Sequence, residues 1–265
     1  MYLDYWGFKE PPFGNAPNRN LFFRSPQHEE ALIRLLYAVE HRKGVAMMTG
    51  EVGAGKTTVT RALIKHLSKE RYEIKIVINP ALTPLDLIRA ILIKFGEESD
   101  SDSKTILLSR LQNRLVGNTQ KGLNTVLAID EAHVIKNQST LDELRMLLNM
   151  QSEDQFLVTL ILLGQPPLLK NISALQPLKE RISIKYNLEP LDFQNIIYYI
   201  LFRLKSAGAT RGIFTKKAIY PLYDYTKGIP LRINNLCDRS LLIGLARKAR
   251  VIDSKIVIEA IEDLR

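Results

Sequence analysis

The stretch TGEVGAGKTT, residues 49–58, constrains the possible fold of this chain more than any other feature. From Gly50 to Thr57 it matches the pattern G-x-x-x-x-G-K-[ST] at every fixed position. The apolar run VAMMT before it is typical of a buried strand, and VTRALIKHL after it has helical spacing. A strand, a glycine-rich loop and a helix in this order predict a phosphate-binding loop, because backbone N–H groups and the positive end of the helix then face one anion.

Each position of this loop has a predicted role in binding ATP and Mg²⁺. The glycines allow the backbone N–H groups to surround the β-phosphate. Lys56 is expected to reach the β- and γ-phosphates and to take part in catalysis, and Thr57 to bind Mg²⁺ through its hydroxyl. The predicted nucleotide-binding residues are Gly50, Glu51, Val52, Gly53, Ala54, Gly55, Lys56, Thr57 and Thr58.

A second motif, TVLAIDEAH, ends another apolar run with two carboxylates. Asp130 is expected to hold the magnesium ion through water. Glu131 is expected to be the general base that polarises the attacking water. The alternative is that these residues only cap a helix after a strand. Because the two motifs occur in the order that a hydrolysis site requires, each supports the other.

Three further residues are candidates for catalysis, each with a structural alternative. Gln165 follows the strand-like run FLVTLILLG, at the edge where open α/β sheets bind ligands, so its amide could orient water; the alternative is a polar turn residue. Arg181 in LKERIS is either a catalytic group or a surface arginine. Arg232 lies near a predicted helix start, where a positive charge favours an anionic partner such as a phosphate. The alternative for Arg232 is again a surface residue.

The order of the predicted elements indicates an α/β fold with a parallel sheet between helices. Strand-like apolar runs alternate with helical segments up to residue 189, and only helical patterns follow, over 192–206, 215–226, 230–248 and 253–264. We therefore predict a P-loop nucleotide-binding domain over residues 1–189, with an aromatic N-terminal segment. A small all-helical domain is predicted over residues 190–265.

Composition narrows the class of protein. The one cysteine, Cys237, permits no disulfide within the chain and is expected in the core. Neither a signal peptide nor an apolar run of about 18 residues is visible, which predicts a cytoplasmic protein without a membrane span. Association with a membrane through a partner or a segment outside this chain is left open.

The net charge of the chain is +9. From Pro190 onward there are 13 Lys and Arg against 7 Asp and Glu, so +6 (13 − 7) of this charge lies in the predicted helical domain. This charge either favours an anionic partner such as DNA or reflects only a lysine-biased surface.

In order and spacing, these pieces resemble the AAA+ ATPases, specifically the general secretion pathway protein A (ExeA/GspA) type. The resemblance covers nearly the whole chain. The segments that carry it are YWGFKEPPF, SPQHEEALIRLLYAVEHRKG, TGEVGAGKTT, IDEAH, ELRMLLNMQS, ILLGQPPL, LKERISIKYNLEPL, IFTKKAI and GIPLRINNLCDRSLL.

The resemblance implies several roles that the residues alone do not. Gln165 would be the sensor 1 residue, and Arg181 the arginine finger that acts on ATP of a neighbouring subunit, which implies a homo-oligomer in the form of a ring or filament. The helical domain would be the lid. Its GIP turn would be the sensor 2 region, where the family commonly has GIPR. In this chain Leu231 stands where the family has the arginine of GIPR, and Arg232 is the next residue. One residue along a helix corresponds to a rotation of about 100° around the helix axis.

Three functions remain open from the sequence. The resemblance implies an ATPase that drives the assembly of an envelope machine such as a secretion, pilus or polysaccharide-export system, through a protein client. The basic helical region favours a second reading, a DNA-binding ATPase that helps transposition. A third is a nucleotide-dependent switch with little turnover, weakened by the shift of Arg232.

Overall fold

A computed structural model describes residues 1–14, 22–152 and 155–264 of the chain. Its helices and strands, in chain order, are α1 (Tyr2–Trp6), α2 (Pro26–Glu40), β1 (Val45–Gly50), α3 (Lys56–His66), β2 (Tyr72–Ile78), α4 (Pro84–Phe95), α5 (Lys104–Gln120), β3 (Asn124–Asp130), α6 (Gln138–Leu147), β4 (Gln151–Ser152), β5 (Gln155–Phe156), β6 (Val158–Gly164), α7 (Pro167–Ser173), α8 (Gln176–Glu180), β7 (Ile182–Leu188), α9 (Phe193–Ser206), α10 (Lys216–Thr226), α11 (Pro230–Ala246) and α12 (Ser254–Asp263). A 3₁₀ turn, Ala132–Val134, follows β3.

Tertiary contacts divide the chain into two compact units. The sheet unit comprises Glu29–Gly50 and Val59–Leu188. The helical unit comprises Met1–His28, Glu51–Thr58 and Glu189–Arg265. The N-terminal segment and the glycine-rich loop therefore group with the helices that follow Glu189, whereas the sequence-based division counts them within residues 1–189.

The sheet unit is built on five parallel strands in the order β2-β3-β6-β1-β7. The predicted α/β fold with a parallel sheet between helices is thus confirmed. Every residue of β1 and β6 is buried, which explains why these strands are continuous apolar runs without alternation. Because all five strands run in the same direction, the residues that follow β3 and β6 emerge at one edge of the sheet.

The helices of the sheet unit form where the sequence supplies caps and an apolar face. In α4, Thr83 accepts a hydrogen bond from the backbone N–H of Asp86, Pro84 occupies the first turn, and Gly96 ends the helix in the left-handed conformation. The buried side chains of α4 and α5 complete the core over the sheet. They are Leu87, Ile88, Ile91, Leu92, Phe95, Leu107, Leu111 and Leu115.

The helical unit combines α9–α12 with the aromatic N-terminal segment. Trp6 is buried, and its indole N–H donates to the carbonyl of Leu241 at 3.1 Å. Arg203, also buried, donates from Nε to the carbonyl of Pro12 at 2.6 Å and from Nη2 to that of Gly14 at 2.9 Å. Cys237 is fully buried in the same core, as predicted, and burial raises the pKa of its thiol.

Some boundaries differ from the sequence-based expectation. The helix predicted over residues 230–248 ends at Ala246. Helix α6 ends at Leu147, and the two-residue strands β4 and β5 follow it. The short helices α1, α7 and α8 and the pair β4–β5 are not predicted, because each is too short to show a period. Among the described residues, no helix combines the length and apolar character needed to cross a bilayer.

Candidate functional site

The glycine-rich loop contains two glycines in the left-handed region of backbone conformation. Gly53 and Gly55 have φ angles of 79° and 107°, in the left-handed region that side chains disfavour. Ala54 between them is fully buried, and its N–H donates to the carbonyl of Glu51 at 3.2 Å. The two left-handed positions therefore require glycine, and glycines in a loop of this pattern allow the backbone to approach a phosphate group closely.

The two side chains expected to hold phosphate and magnesium open helix α3. Lys56 is 6% exposed, and its ammonium group donates to the carbonyl of Glu51 at 3.0 Å, so its charge is held beside the loop. Thr57 is exposed in the same turn. The first N–H groups of a helix have no intrahelical acceptor and carry its positive dipole end, which adds to the attraction for an anion.

The start of α11 contacts this loop within the helical unit. The N–H of Leu231 donates to the carbonyl of Gly53 at 3.3 Å, and a Cβ on Gly53 would lie 2.4 Å from the Cβ of Leu231. Arg232 is exposed and forms no hydrogen bond or ion pair with any described residue. The side chain that reaches the loop is therefore that of Leu231, and a catalytic role for Arg232 stays a prediction.

The two carboxylates of the second motif lie at the C-terminal end of β3, in the sheet unit. A carboxylate oxygen of Asp130 accepts the N–H of Glu131 at 3.0 Å. Glu131 has a φ of 56° and a ψ of 33°, a left-handed conformation that costs a non-glycine residue about 1–2 kcal/mol. Its side chain is 41% exposed. Strained residues of this kind cluster at active sites.

His133 connects Glu131 to the end of the neighbouring strand β6. Its Nδ1 lies 3.2 Å from Oε2 of Glu131 and accepts from the N–H of Gln165 at 3.4 Å. Asn171 on α7 fixes this turn, since its amide donates to the carbonyls of His133 and Ile135 at 3.1 and 3.3 Å. The structure thus brings Asp130, Glu131 and Gln165 to one edge of the sheet.

Arg181 lies elsewhere in the sheet unit, between α8 and β7. It is partly buried, and its Nη1 donates to the carbonyl of Leu148 at 3.4 Å. No described contact links it to Asp130, Glu131 or Gln165. A role for Arg181 on its own subunit therefore has no support in these contacts, and the predicted role toward a neighbouring subunit stays a prediction.

Sequence reasoning missed two histidines that contact candidate site residues. One is His133, two residues beyond the predicted general base; the other is His28, whose ring contacts Ala54 of the loop. His133 lies inside the IDEAH segment, so its closeness to Glu131 was a usable signal. His28 lies in the SPQHEE segment, 26 residues before its contact, and no local pattern reveals that pairing.

The two residues predicted to hold Mg²⁺ both carry oxygen donors. Mg²⁺ prefers oxygen ligands, keeps several waters, and is usually held by one or two protein groups plus substrate phosphates. Thr57 and Asp130 supply one hydroxyl and one carboxylate of that kind. Within residues 1–14, 22–152 and 155–264, no group of three or more His, Cys, Asp or Glu side chains is arranged so that it could hold a metal ion.

Comparison with known proteins agrees with this geometry. The AAA domain family profile matches residues 39–172. General secretion pathway protein A of Aeromonas hydrophila is 37% identical over 267 residues, which cover 99% of this chain and 48% of that protein. The chain therefore spans about half the length of this relative. The resemblance to the ExeA/GspA type, drawn from sequence segments, is confirmed.

Solved structures show the same fold at low sequence identity. The Aeropyrum pernix ORC1 protein in complex with DNA has a TM-score of 0.72 at 17% identity, covering 97% of this chain and 70% of that one. The Thermotoga maritima RuvB Holliday junction branch migration motor has a TM-score of 0.63 at 21% identity, covering 94% and 72%. At this level of identity the likeness concerns the fold alone.

Proposed function

Since the chain belongs to the AAA domain family, we propose that it binds ATP together with Mg²⁺ and hydrolyses it. The observation that carries this proposal is the loop before α3, where left-handed Gly53 and Gly55 flank Ala54 directly ahead of Lys56. The loop N–H groups and Lys56 would hold the phosphates. A magnesium ion bound by Thr57, and by Asp130 through water, would neutralise phosphate charge.

The hydrolytic step is assigned to residues of the sheet unit. Glu131 accepts a proton from water as the water oxygen bonds to the γ-phosphorus and the bond to the β,γ-bridging oxygen breaks, giving ADP and phosphate. Gln165 orients the water or the γ-phosphate through its amide. In the tautomer that carries its proton on Nδ1, His133 would donate to the carboxylate of Glu131 across the 3.2 Å contact and hold it in place.

Nucleotide binding is tested with two lysines of the same helix. Titration calorimetry with ATP and Mg²⁺ should show tight binding to the wild-type protein and at least about tenfold weaker binding to Lys56→Ala, because a charge-assisted contact is lost. Lys65→Ala, exposed at the other end of α3, is the matched control and should bind as the wild type does. Wild-type affinity in Lys56→Ala would overturn the proposed site.

We further propose that the active form is a homo-oligomer in which Arg181 acts on the ATP of a neighbouring subunit. Arg181→Ala should bind ATP but lose hydrolysis, whereas Lys179→Ala, two residues away and exposed, should retain it. Mixing Arg181→Ala with Lys56→Ala should restore part of the activity, since one variant supplies the finger and the other the bound ATP. The absence of any rescue would contradict action between subunits.

The work of this ATPase is proposed to be assembly or remodelling of an envelope machine. The support is the 37% identity to General secretion pathway protein A over 99% of the chain. In the source organism, replacement by the Glu131→Gln variant should then block a secretion, pilus or polysaccharide-export function while the protein level is unchanged. Normal export of all three kinds would count against this assignment.

A cationic cleft in the helical unit favours DNA as a second candidate partner. The cleft has a volume of about 610 Å³ and is lined by Arg211, Lys248 and Arg250 together with Tyr5. None of the three cations has a carboxylate within ion-pair distance in the described part of the chain, whereas nearby Arg247 pairs with Glu259 at 2.6 Å. Unpaired cations around one concavity suit the phosphates of a nucleic acid.

Salt dependence tests this second candidate. Arg211→Gln combined with Arg250→Gln should weaken binding to duplex DNA and lower the slope of log K against log salt by about 1 per lost phosphate contact. The exposed pair Lys216→Gln and Lys217→Gln removes the same charge outside the cleft and should change the slope less. If DNA does not bind at low salt, or both pairs change the slope equally, the cleft is not a DNA site.

A further inference from the structure

A buried histidine joins the first turn of α2 to the glycine-rich loop. His28 is 5% exposed. Its Nε2 lies 3.0 Å from the carbonyl oxygen of Ala54, and its Nδ1 lies 2.7 Å from the hydroxyl of Ser25. Ser25, 1% exposed, also accepts the backbone N–H of His28 at 3.3 Å. Each polar atom of this ring therefore has a defined partner inside the helical unit.

These partners determine which nitrogen of His28 carries the proton. A carbonyl oxygen can only accept, so Nε2 must be the donor to Ala54. In the neutral ring Nδ1 is then an acceptor, which the Ser25 hydroxyl satisfies as donor while its oxygen accepts the His28 N–H. Burial, which outweighs the opposing effect of the bond to Ala54, lowers the pKa of His28 and favours this neutral ring.

Gly55, the residue after Ala54, also lies close to the ring of His28. A Cβ on Gly55 would lie 2.5 Å from Nε2 of His28, closer than non-bonded atoms approach, and Gly55 has a φ of 107°. The peptide between Ala54 and Gly55 is trans, so its C=O and N–H point in opposite directions. Fixing the carbonyl of Ala54 toward His28 therefore fixes the N–H of Gly55 away from it.

We propose that His28 is a positioning residue of the nucleotide loop, which holds the Ala54–Gly55 peptide so that the Gly55 N–H donates to a phosphate group of the bound nucleotide. This inference rests on the proposed ATP binding and deepens it. Preorganised donors strengthen binding because their orientation requires no reorganisation when the ligand arrives. The ring does not itself touch the nucleotide.

Three substitutions of His28 distinguish the effect of its Nε2 hydrogen-bond donor from the effect of the space that its ring fills. Gln places an amide N–H near the position of Nε2, Asn places its polar atoms only near Nδ1, and Leu fills the space without a donor. Titration with ADP and with ATP–Mg²⁺ should give about five- to tenfold weaker binding for His28→Leu and His28→Asn, the effect of one hydrogen bond. His28→Gln should recover most of the affinity.

A readout besides affinity distinguishes positioning from packing. The amide resonance of Gly55 in ¹⁵N-labelled wild type should shift on adding ADP, and that shift should shrink in His28→Asn and return in His28→Gln. Melting temperatures show whether each variant is folded. If His28→Leu does not fold, the comparison of His28→Asn with His28→Gln still tests whether the donor near Nε2 matters. A purely structural role would change the melting temperature but leave the affinity of the folded fraction equal in Asn and Gln.

Failure of this inference differs from failure of the proposed function. If wild type does not bind nucleotide, or Lys56→Ala binds as well as wild type, the proposed nucleotide site is wrong. If wild type binds, Lys56→Ala does not, and all three His28 variants bind like wild type, the site stands and His28 has no positioning role.

Discussion

The Nδ1 atom of His133 lies 3.2 Å from the carboxylate of Glu131 and 3.4 Å from the backbone nitrogen of Gln165. A carboxylate requires a donor and a backbone N–H requires an acceptor, so this one nitrogen can serve only one of them at a time. Whichever nitrogen carries the proton, the ring limits where the carboxylate of Glu131 can lie. This relationship places a third side chain between Glu131, the proposed general base, and the end of β6.

His133→Leu is therefore expected to lower turnover without weakening nucleotide binding. Displacement of a catalytic group by about 1 Å can cost up to about 100-fold in rate, so we expect a loss of about 10- to 100-fold in kcat. His133→Asn retains a donor near Nδ1 and should lose less. Steady-state phosphate release measures both, with His41→Leu as the control because His41 is exposed and its Nδ1 contacts the carbonyl of Tyr37. Full turnover in His133→Leu would show that the contact has no catalytic role.

Arg203→Met should destabilise the helical unit by about 2–4 kcal/mol, since it removes the donors to Pro12 and Gly14 and leaves the buried carbonyl of Pro12 unsatisfied. Urea unfolding measures the free energy of unfolding, and limited proteolysis should cleave the variant earlier near residues 12–14. Lys205→Met, exposed on the same helix, should stay within about 0.5 kcal/mol of wild type. Equal stabilities of the two variants would show that Arg203 does not hold the N-terminal segment.

Glu73 predicts an acid-sensitive contribution to stability. Burial raises its pKa, but hydrogen bonds from Asn118, Arg114 and Lys75 outweigh burial and hold the pKa below its usual 4.5. A carboxyl whose pKa is lower in the folded state stabilises the protein above its unfolded pKa, and this stabilisation is lost as pH falls through the folded pKa.

Glu73→Gln should therefore lower the free energy of unfolding at pH 7 and reduce its decline below about pH 4.5. Urea titrations from pH 3 to 7 measure this, and Glu40→Gln, at an exposed position of α2, is the control for loss of one carboxylate. An unchanged acid decline in Glu73→Gln would contradict the assignment.

How much the sequence predicts depends on how local the determining contacts are. The glycine-rich loop, Asp130 and Glu131 lie next to strong apolar runs, so their neighbours in the chain predict their position in the fold. The N-terminal segment is held by the hydrogen bond between Arg203 and Pro12, which are 191 positions apart. No local sequence pattern predicts a contact over that distance. Likewise, whether Leu231 or Arg232 reaches the loop depends on the rotation of α11, which the motif does not specify.

We propose that Glu131 is the general base of an ATP-hydrolysing site whose phosphate-binding loop is centred on Gly53–Lys56. The most direct measurement compares ATP affinity and phosphate release for wild type and Glu131→Gln under the same Mg²⁺ conditions. We predict unchanged affinity and a loss of at least about 100-fold in turnover, the usual contribution of a general base. Undiminished hydrolysis by Glu131→Gln would contradict the claim.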